Sequence, residues 1–469
     1  MSALALRLRP DPRAAFTTAA AAGLALVLAA VAVVSPLLAA GGLVAVLFVL
    51  ALTRSLAAGV AIFAFMTYFE FVPQLTESGV TFLRLAGVVL ALVWVAGVVT
   101  RGEQAQLLFR DRPLAAWAGV ALAVWATASA LWAMDSGVAL ANAFRLTQGV
   151  LLAFVVYTAL REPRHLRWLF VAIVAGAVMT TILGGVFVSP EGQADELARL
   201  AGGIGDANQF AALLITPLAV SAFVLAGARG LARAALLGVV LLLTVALLLS
   251  QSRGGLVSLA VVLVFTLVLA GPVRPRAVVA VLAIVAVGVT YLVVLAPAAT
   301  LERVTTFANA GGTGRGDLWN VAMRVAEDHP VLGVGAGNFI LVEPEYSASG
   351  ISISRIDIVF DQTKVVHNTF LQLLTELGAI GLAAFLLVVG ASVVGSFRAI
   401  SRMRGVPLDV ELLVRGFTVG LLGVLAAYSF ESSQYEKQLW LLLGVGLAIP
   451  SILRRLQAEA AAPRREDGG

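Results

Sequence analysis

The sequence has no cysteine, only three histidines and little charge. The missing cysteine excludes disulfides, thiolate metal sites and cysteine nucleophiles. With His165, His329 and His367 as the whole histidine set, a histidine-rich metal centre is not expected. Charged residues make up 13% and hydrophobic residues 60%. A soluble globular chain carries about 25% charge and about half apolar residues, so this composition belongs to an integral membrane protein. The apolar stretches carry almost no charge at their centres. A proton-coupled transporter would show carboxylates or histidines along its path, so this scarcity argues against a pump. A basic membrane chain, here with net charge +5, does not by itself imply a nucleic-acid partner.

The chain has room for many spans of about 20 residues. Apolar runs fall at 16–34, 36–52, 56–72, 80–99, 114–132, 143–160, 167–188, 208–227, 232–250, 254–271, 277–296, 368–397, 416–431 and 437–453. The first follows Arg7, Arg9 and Arg13 and reads as a retained helix rather than a signal peptide, because further spans follow at once. In lipid such runs must be helices, since the backbone has to satisfy its own hydrogen bonds. The expected fold is an all-α, polytopic membrane bundle of about 12–14 helices. The chain divides into N-terminal transmembrane helices (1–296), a large loop (297–366), C-terminal transmembrane helices (367–456) and a disordered tail (457–469). No internal repeat of fixed period is visible.

Arginines occupy alternate connections: Arg54, then Arg101, Arg110 and Arg112, then Arg161, Arg164 and Arg167, then Arg229 and Arg233, then Arg274 and Arg276, then Arg398, Arg402, Arg404 and Arg415, then Arg454 and Arg455. The positive-inside rule puts these in the cytoplasm, with both termini inside and the 297–366 loop outside.

Three arginines break that pattern. Arg84, Arg145 and Arg253 fall at or just inside the outer ends of spans, and Arg303, Arg315, Arg324 and Arg355 lie in the outer loop. Arginine suits phosphate because its planar fork donates paired hydrogen bonds and stays protonated. For Arg84 and Arg145, snorkelling or pairing with Glu70, Glu77 or Asp135 is the plainer reading. Arg253, in Ser250-Gln251-Ser252-Arg253-Gly254-Gly255, is favoured as functional because its small neighbours let a bulky ligand reach the backbone.

In the loop, Gly311-Gly312-Thr313-Gly314-Arg315-Gly316-Asp317-Leu318-Trp319 leads into a helix expected from about Asp317 to Glu327. It is either an anion-binding helix start or a flexible turn. Gly333-Val334-Gly335-Ala336-Gly337-Asn338 reads as a turn, and His329 as a helix-end residue. His367 opens the next span. It would either take a proton or hold a phosphate, or simply cap the helix. Behind it Asn368, Gln372, Thr375 and Glu376 recur at helical spacing as one polar stripe, facing protein or a cavity open outward.

The order Ser-Arg-Gly (252–254), Gly-Arg-x3-Trp (314–319), His-Pro-x2-Gly-x-Gly-x-Gly-Asn-Phe (329–339) and His-Asn-x2-Leu-x4-Glu-x-Gly (367–378) resembles the O-antigen ligase/polymerase superfamily of bacterial membrane glycosyltransferases. The likeness covers about residues 200–390. It implies a fold related to the GT-C class, in the cytoplasmic (inner) membrane, with the site on the periplasmic or extracytoplasmic side. It implies a donor glycan on undecaprenyl pyrophosphate, an acceptor that is lipid A–core or another envelope molecule, and no metal or other cofactor. By position, Arg253 and Arg315 match the arginines that hold the donor pyrophosphate, and His367 the catalytic histidine. Arg84, Arg145, Trp319, Asn368, Gln372 and Glu376 would support them. The leading expectation is therefore a ligase-type glycosyltransferase of lipopolysaccharide or another envelope polysaccharide. The alternatives are a polymerase of lipid-linked repeat units, a polysaccharide flippase, or a non-enzymatic assembly protein.

Overall fold

The computed structural model describes residues 33, 36–70, 82–101, 103–187, 199–202, 206–295, 315–348 and 365–461. Nearly all of the expected first span lies outside them, as do Arg303, Arg355, Glu77 and the glycines at 311–314. The described residues form helices and connections, with no strand among them.

In chain order these are α1 (Pro36–Arg54), α2 (Leu56–Met66), α3 (Phe82–Arg101), α4 (Glu103–Asp111), α5 (Pro113–Ala128), α6 (Ser136–Ala159), α7 (Pro163–Phe187), α8 (Ala207–Gly227), α9 (Gly230–Leu249), α10 (Arg253–Leu269), α11 (Arg274–Thr290), α12 (Arg315–Asp328), α13 (Phe339–Ala348), α14 (Thr369–Ile400), α15 (Leu408–Ala427) and α16 (Lys437–Ala461). Ten helical segments among the described residues are long and apolar enough to cross a membrane, and three shorter apolar ones accompany them. The polytopic all-α bundle read from composition is what the chain forms.

Short links between successive spans force them to run up and down. This gathers the arginine-bearing connections at one end, called here the basic end. Four boundaries differ from the sequence reading. A short helix, α4, lies between α3 and α5; its polar composition hides it from a hydropathy scan. Helix α15 starts at Leu408, so Arg415 lies within it rather than in a connection. Arg415 is accommodated there by Glu411 one turn away (2.7 Å) and by the Leu269 carbonyl (2.7 Å). Helix α16 continues to Ala461, beyond the expected start of a disordered tail at 457. Helix α6 starts at Ser136, capped by Asp135, which accepts from the amides of Gly137 and Val138.

Small residues set the tightest packing. Gly416 and Gly420, one turn apart on α15, lie against α8, where an added Cβ would come within 2.8 Å of Val220 Cα and 2.9 Å of Thr216 Cα. Close backbone approach of this kind is how helices associate where lipid supplies no hydrophobic drive. Gly149 on α6 leaves the space that Trp440 of α16 fills, and the Trp440 indole donates to the Gln434 carbonyl (2.9 Å).

Candidate functional site at the end opposite the arginines

Helix α14 is broken near its start. Gly378 has φ 65° and ψ −170°, a combination open in practice only to glycine. The break frees the carbonyls of Thr375, Glu376 and Leu377. The 330–335 turn takes two of them: Val334 N–H donates to Thr375 O (2.9 Å) and Gly335 N–H to Glu376 O (2.8 Å). Ala379 N–H donates back to Pro330 O (2.9 Å), and the Trp125 indole covers Leu377 O (2.8 Å). Gly333, Gly335 and Gly337 all have positive φ. The glycine-rich segment therefore is the turn read from the sequence, and its purpose is to satisfy a broken membrane helix. Asn338, fully buried, carries the same turn to α6: its Oδ1 accepts from Asp135 N–H (2.8 Å) and its amide donates to Asp135 O (3.2 Å).

The polar stripe on α14 faces protein. Gln372, Thr375 and Glu376 are buried. Gln372 donates to Glu376 Oε1 (2.8 Å) and the Tyr435 hydroxyl donates to Glu376 Oε2 (3.0 Å). The expected outward cavity is not where this stripe points. The stripe instead anchors the connection between α15 and α16. Asn368 is the N-cap of α14, accepting from the amides of Phe370 (3.0 Å) and Leu371 (3.1 Å).

His367, immediately before that cap, has φ 53°, a left-handed backbone that a side chain other than Asn, Asp or His seldom adopts. It is clamped from both sides. Val366 is fully buried with Val321, Ala322, Val325, Val334 and Phe339, so α12 of the large loop sits directly on the start of α14. The Trp319 indole donates to the Val366 carbonyl (3.1 Å). On the other side, Thr369 N–H donates to Tyr428 O (2.9 Å), Thr369 Oγ1 donates to Glu431 O (2.6 Å), and Ser433 N–H donates to Thr369 Oγ1 (2.9 Å).

The 428–436 connection is thus strapped over the mouth of α14. Phe430 stands between two further motifs: its ring centroid is 6.2 Å from that of Trp319, and a Cβ on Gly254 would sit 3.0 Å from its own Cβ. Arg315 begins α12 one turn before Trp319, and Arg253 begins α10 beside Gly254. The segments bearing Arg253, Arg315 and His367 therefore meet around one connection. Ser252 caps α10 and its hydroxyl reaches Asn208 Oδ1 (2.9 Å) at the start of α8, where Asp206 is the N-cap. Arg199 braces the same corner, donating to Ser250 O (2.9 Å) and to Asn208 Oδ1 (3.2 Å).

Two further arginines behave differently. Arg145 is the tenth residue of α6, deeper than the sequence suggested, because α6 starts earlier. Its guanidinium lies over the Tyr435 ring, 4.9 Å from the centroid, and it belongs to the rim of the strap. It does not pair with Glu70; Lys437 does that. Arg84 is exposed at the start of α3, a helix that packs chiefly on α1, α2, α4 and α6 rather than on the elements gathered here.

The strap carries acidity that the sequence reading passed over. Burial pushes the Glu431 carboxyl up to about 7, with Asp206 and Glu436 adding to the rise and Arg315 opposing it. Glu436 is likewise raised to about 7 by burial and by Glu70, against the pull of Lys437 and Arg145. The signal was present in Ser429-Phe430-Glu431-Ser432-Ser433-Gln434-Tyr435-Glu436-Lys437, which is far more polar than a short link between two spans requires. No group of three or more acidic or histidine side chains able to hold a metal ion occurs among the described residues.

Fold and site together define a multi-pass membrane protein in which a helix of the large loop and the 428–436 connection both close on the start of α14. Residues 237–386 match the family model described as O-antigen ligase, which supports assignment to the O-antigen ligase/polymerase superfamily and an enzyme of glycosyltransferase type acting on lipid-linked glycans. The matched segment contains Arg253, Arg315, Trp319 and His367, and ends before the strap. No curated protein matches the chain.

Proposed function

We propose that this protein transfers a glycan from undecaprenyl pyrophosphate to an acceptor hydroxyl, as a ligase-type glycosyltransferase acting at the outer face of the cytoplasmic membrane. The observation that carries this reading is the convergence of the Arg253, Arg315 and His367 segments through Trp319 and Phe430. The arginine-rich connections at the far end support the orientation, by the positive-inside rule.

The chemistry follows from the residue types. The anomeric carbon–oxygen bond breaks as the acceptor oxygen attacks, and its electron pair goes to the pyrophosphate. Arg253 and Arg315 are suited to neutralise that developing charge, which is the service a metal ion would otherwise render. His367 serves the proton movements, at the acceptor hydroxyl or at the departing phosphate. Direct displacement predicts inversion at the anomeric carbon. Lipid A–core or another envelope glycan is the acceptor class. Arg145, Trp319, Asn368, Gln372 and Glu376 are supporting residues in this reading, with Trp319 bonded to the carbonyl just before His367; Arg84, on a helix that packs elsewhere, is left out.

Deleting the gene tests the assignment through the lipid-linked glycan that accumulates. Long glycans on undecaprenyl pyrophosphate, with none on the final acceptor, are expected. Single repeat units would instead mean a polymerase. An unchanged lipid-linked pool in a strain without a second copy would reject glycan transfer.

A further inference from the structure

Glu431 is an ionisable side chain beside the start of α14 that neither the family resemblance nor the histidine-centred mechanism uses. Glu431 sits in the strap at the point where its own carbonyl accepts from Thr369 Oγ1, two residues after His367. Its neighbour Phe430 contacts Gly254 and Trp319, each next to or one turn from a pyrophosphate-reading arginine. Glu431 Oε2 is buried and has no hydrogen-bond partner among the described residues. An orphaned carboxylate oxygen inside a mouth is expensive to maintain, which suggests that something else completes it.

The charged groups that bear on Glu431 come from each element packed around the strap. Asp206 faces it from the start of α8, Arg315 from the start of α12, and Glu436 from the strap itself, with Arg253 on α10 and His367 before α14 at the same mouth. Burial and two neighbouring acids, opposed by Arg315, leave the carboxyl poised near neutrality. That is the condition under which a group both accepts and releases a proton well. A carboxylate whose only task was to pair with Arg315 would be held ionised, well below the ordinary range.

We propose that Glu431 is the general base of the transfer, resting on the glycosyltransferase reading above, and that His367 then serves the departing phosphate. The acceptor hydroxyl proton moves to Glu431 Oε2 as the acceptor oxygen bonds to the anomeric carbon. The anomeric carbon–oxygen bond to phosphate breaks, the electron pair stays on the pyrophosphate between Arg253 and Arg315, and Glu431 later loses its proton to water. Two titratable groups in unlike environments, one near each end of the bond being made and broken, divide the proton work.

The test uses the full chain reconstituted in lipid nanodiscs. The donor is the undecaprenyl-pyrophosphate-linked glycan that accumulates in cells lacking the protein, and the acceptors come from membranes of the same cells. Glu431→Gln is expected to lower kcat at least 100-fold with the donor KM within threefold, and Glu431→Asp to recover part of that loss. The acidic limb of the wild-type pH–rate profile, near pH 7, should vanish in residual Glu431→Gln activity and persist in His367→Gln. Wild-type transfer with Glu431→Gln within threefold of it, or an acidic limb that disappears with His367 instead, overturns the base and leaves the function intact. Donor binding without any transfer by the wild type overturns the glycosyltransferase reading, and the base with it.

Discussion

Replacing Trp319 with Phe isolates one bond on which the site depends. The ring stays to pack on Phe430, while the indole N–H that reaches the Val366 carbonyl is lost. Val366 is fully buried, so its carbonyl cannot turn to water instead. Leaving a buried acceptor unsatisfied costs about 1–3 kcal/mol, and the strain of His367 at φ 53° gives the chain a local way to recover it, by letting residues 366–367 relax. A displacement of about 1 Å in a reacting group costs on the order of 100-fold in rate. We therefore expect Trp319→Phe to lower kcat by about 10- to 100-fold with little change in donor KM, since Arg253 and Arg315 keep their helices. The assay is glycan transfer by the reconstituted chain, with His367→Ala and the double variant completing a cycle. If Trp319 acts through His367, the double variant should be no worse than His367→Ala. A Trp319→Phe enzyme at full rate, or losses that multiply in the double variant, would refute this positioning role.

Other substitutions separate structure from chemistry. Gly378→Ala should prevent folding, because a Cβ would lie 2.0 Å from the Val331 carbonyl oxygen at a backbone conformation costing about 1–3 kcal/mol in its own right; monodisperse protein on size-exclusion chromatography would contradict this. Asn338→Ala removes the bridge from the glycine turn to the cap of α6 and should cost about 2 kcal/mol, read as a lower melting temperature in detergent. Glu431→Gln should behave oppositely. The Glu431 carboxyl is raised from 4.5 to about 7 on folding, so the folded state binds its proton more tightly, and stability falls as pH climbs through that window. The neutral glutamine escapes this loss, so the variant should melt above the wild type at pH 8 and with it at pH 4. A variant less stable than the wild type at pH 8 would count against a strained acid.

What could be read from the sequence divides along physical lines. Spans were legible because hydrocarbon demands long apolar runs, and their packing hardly alters the pattern. Boundaries failed where polar residues are paid for by partners invisible in one dimension. Arg415 looked like loop because its Glu411 and Leu269 partners were not in view, and α6 began seven residues before its expected start at 143 because Asp135 caps it. The break at Gly378 lies hidden inside an apolar run, although the glycine turn that repairs it reads as a turn. The stripe of Gln372, Thr375 and Glu376 was recognised, but its periodicity said only that it faces protein or water. Tyr435 decides for protein.

The strap is illegible in one dimension for a different reason. Arg253, Arg315 and His367 stand in motifs whose order is informative, whereas Glu431 lies in a short link between the last two spans, beyond the matched segment. Its importance arises only from three-dimensional closure: α14 and α16 pack together, α15 returns to α8, and their common end places residues 428–436 over the mouth. A buried acid there lowers stability wherever it is ionised, as expected of a group retained for chemistry rather than for folding. A stability gain in Glu431→Gln accompanied by loss of transfer would join those two facts in one side chain, because a residue kept only to hold the strap in place could not yield both.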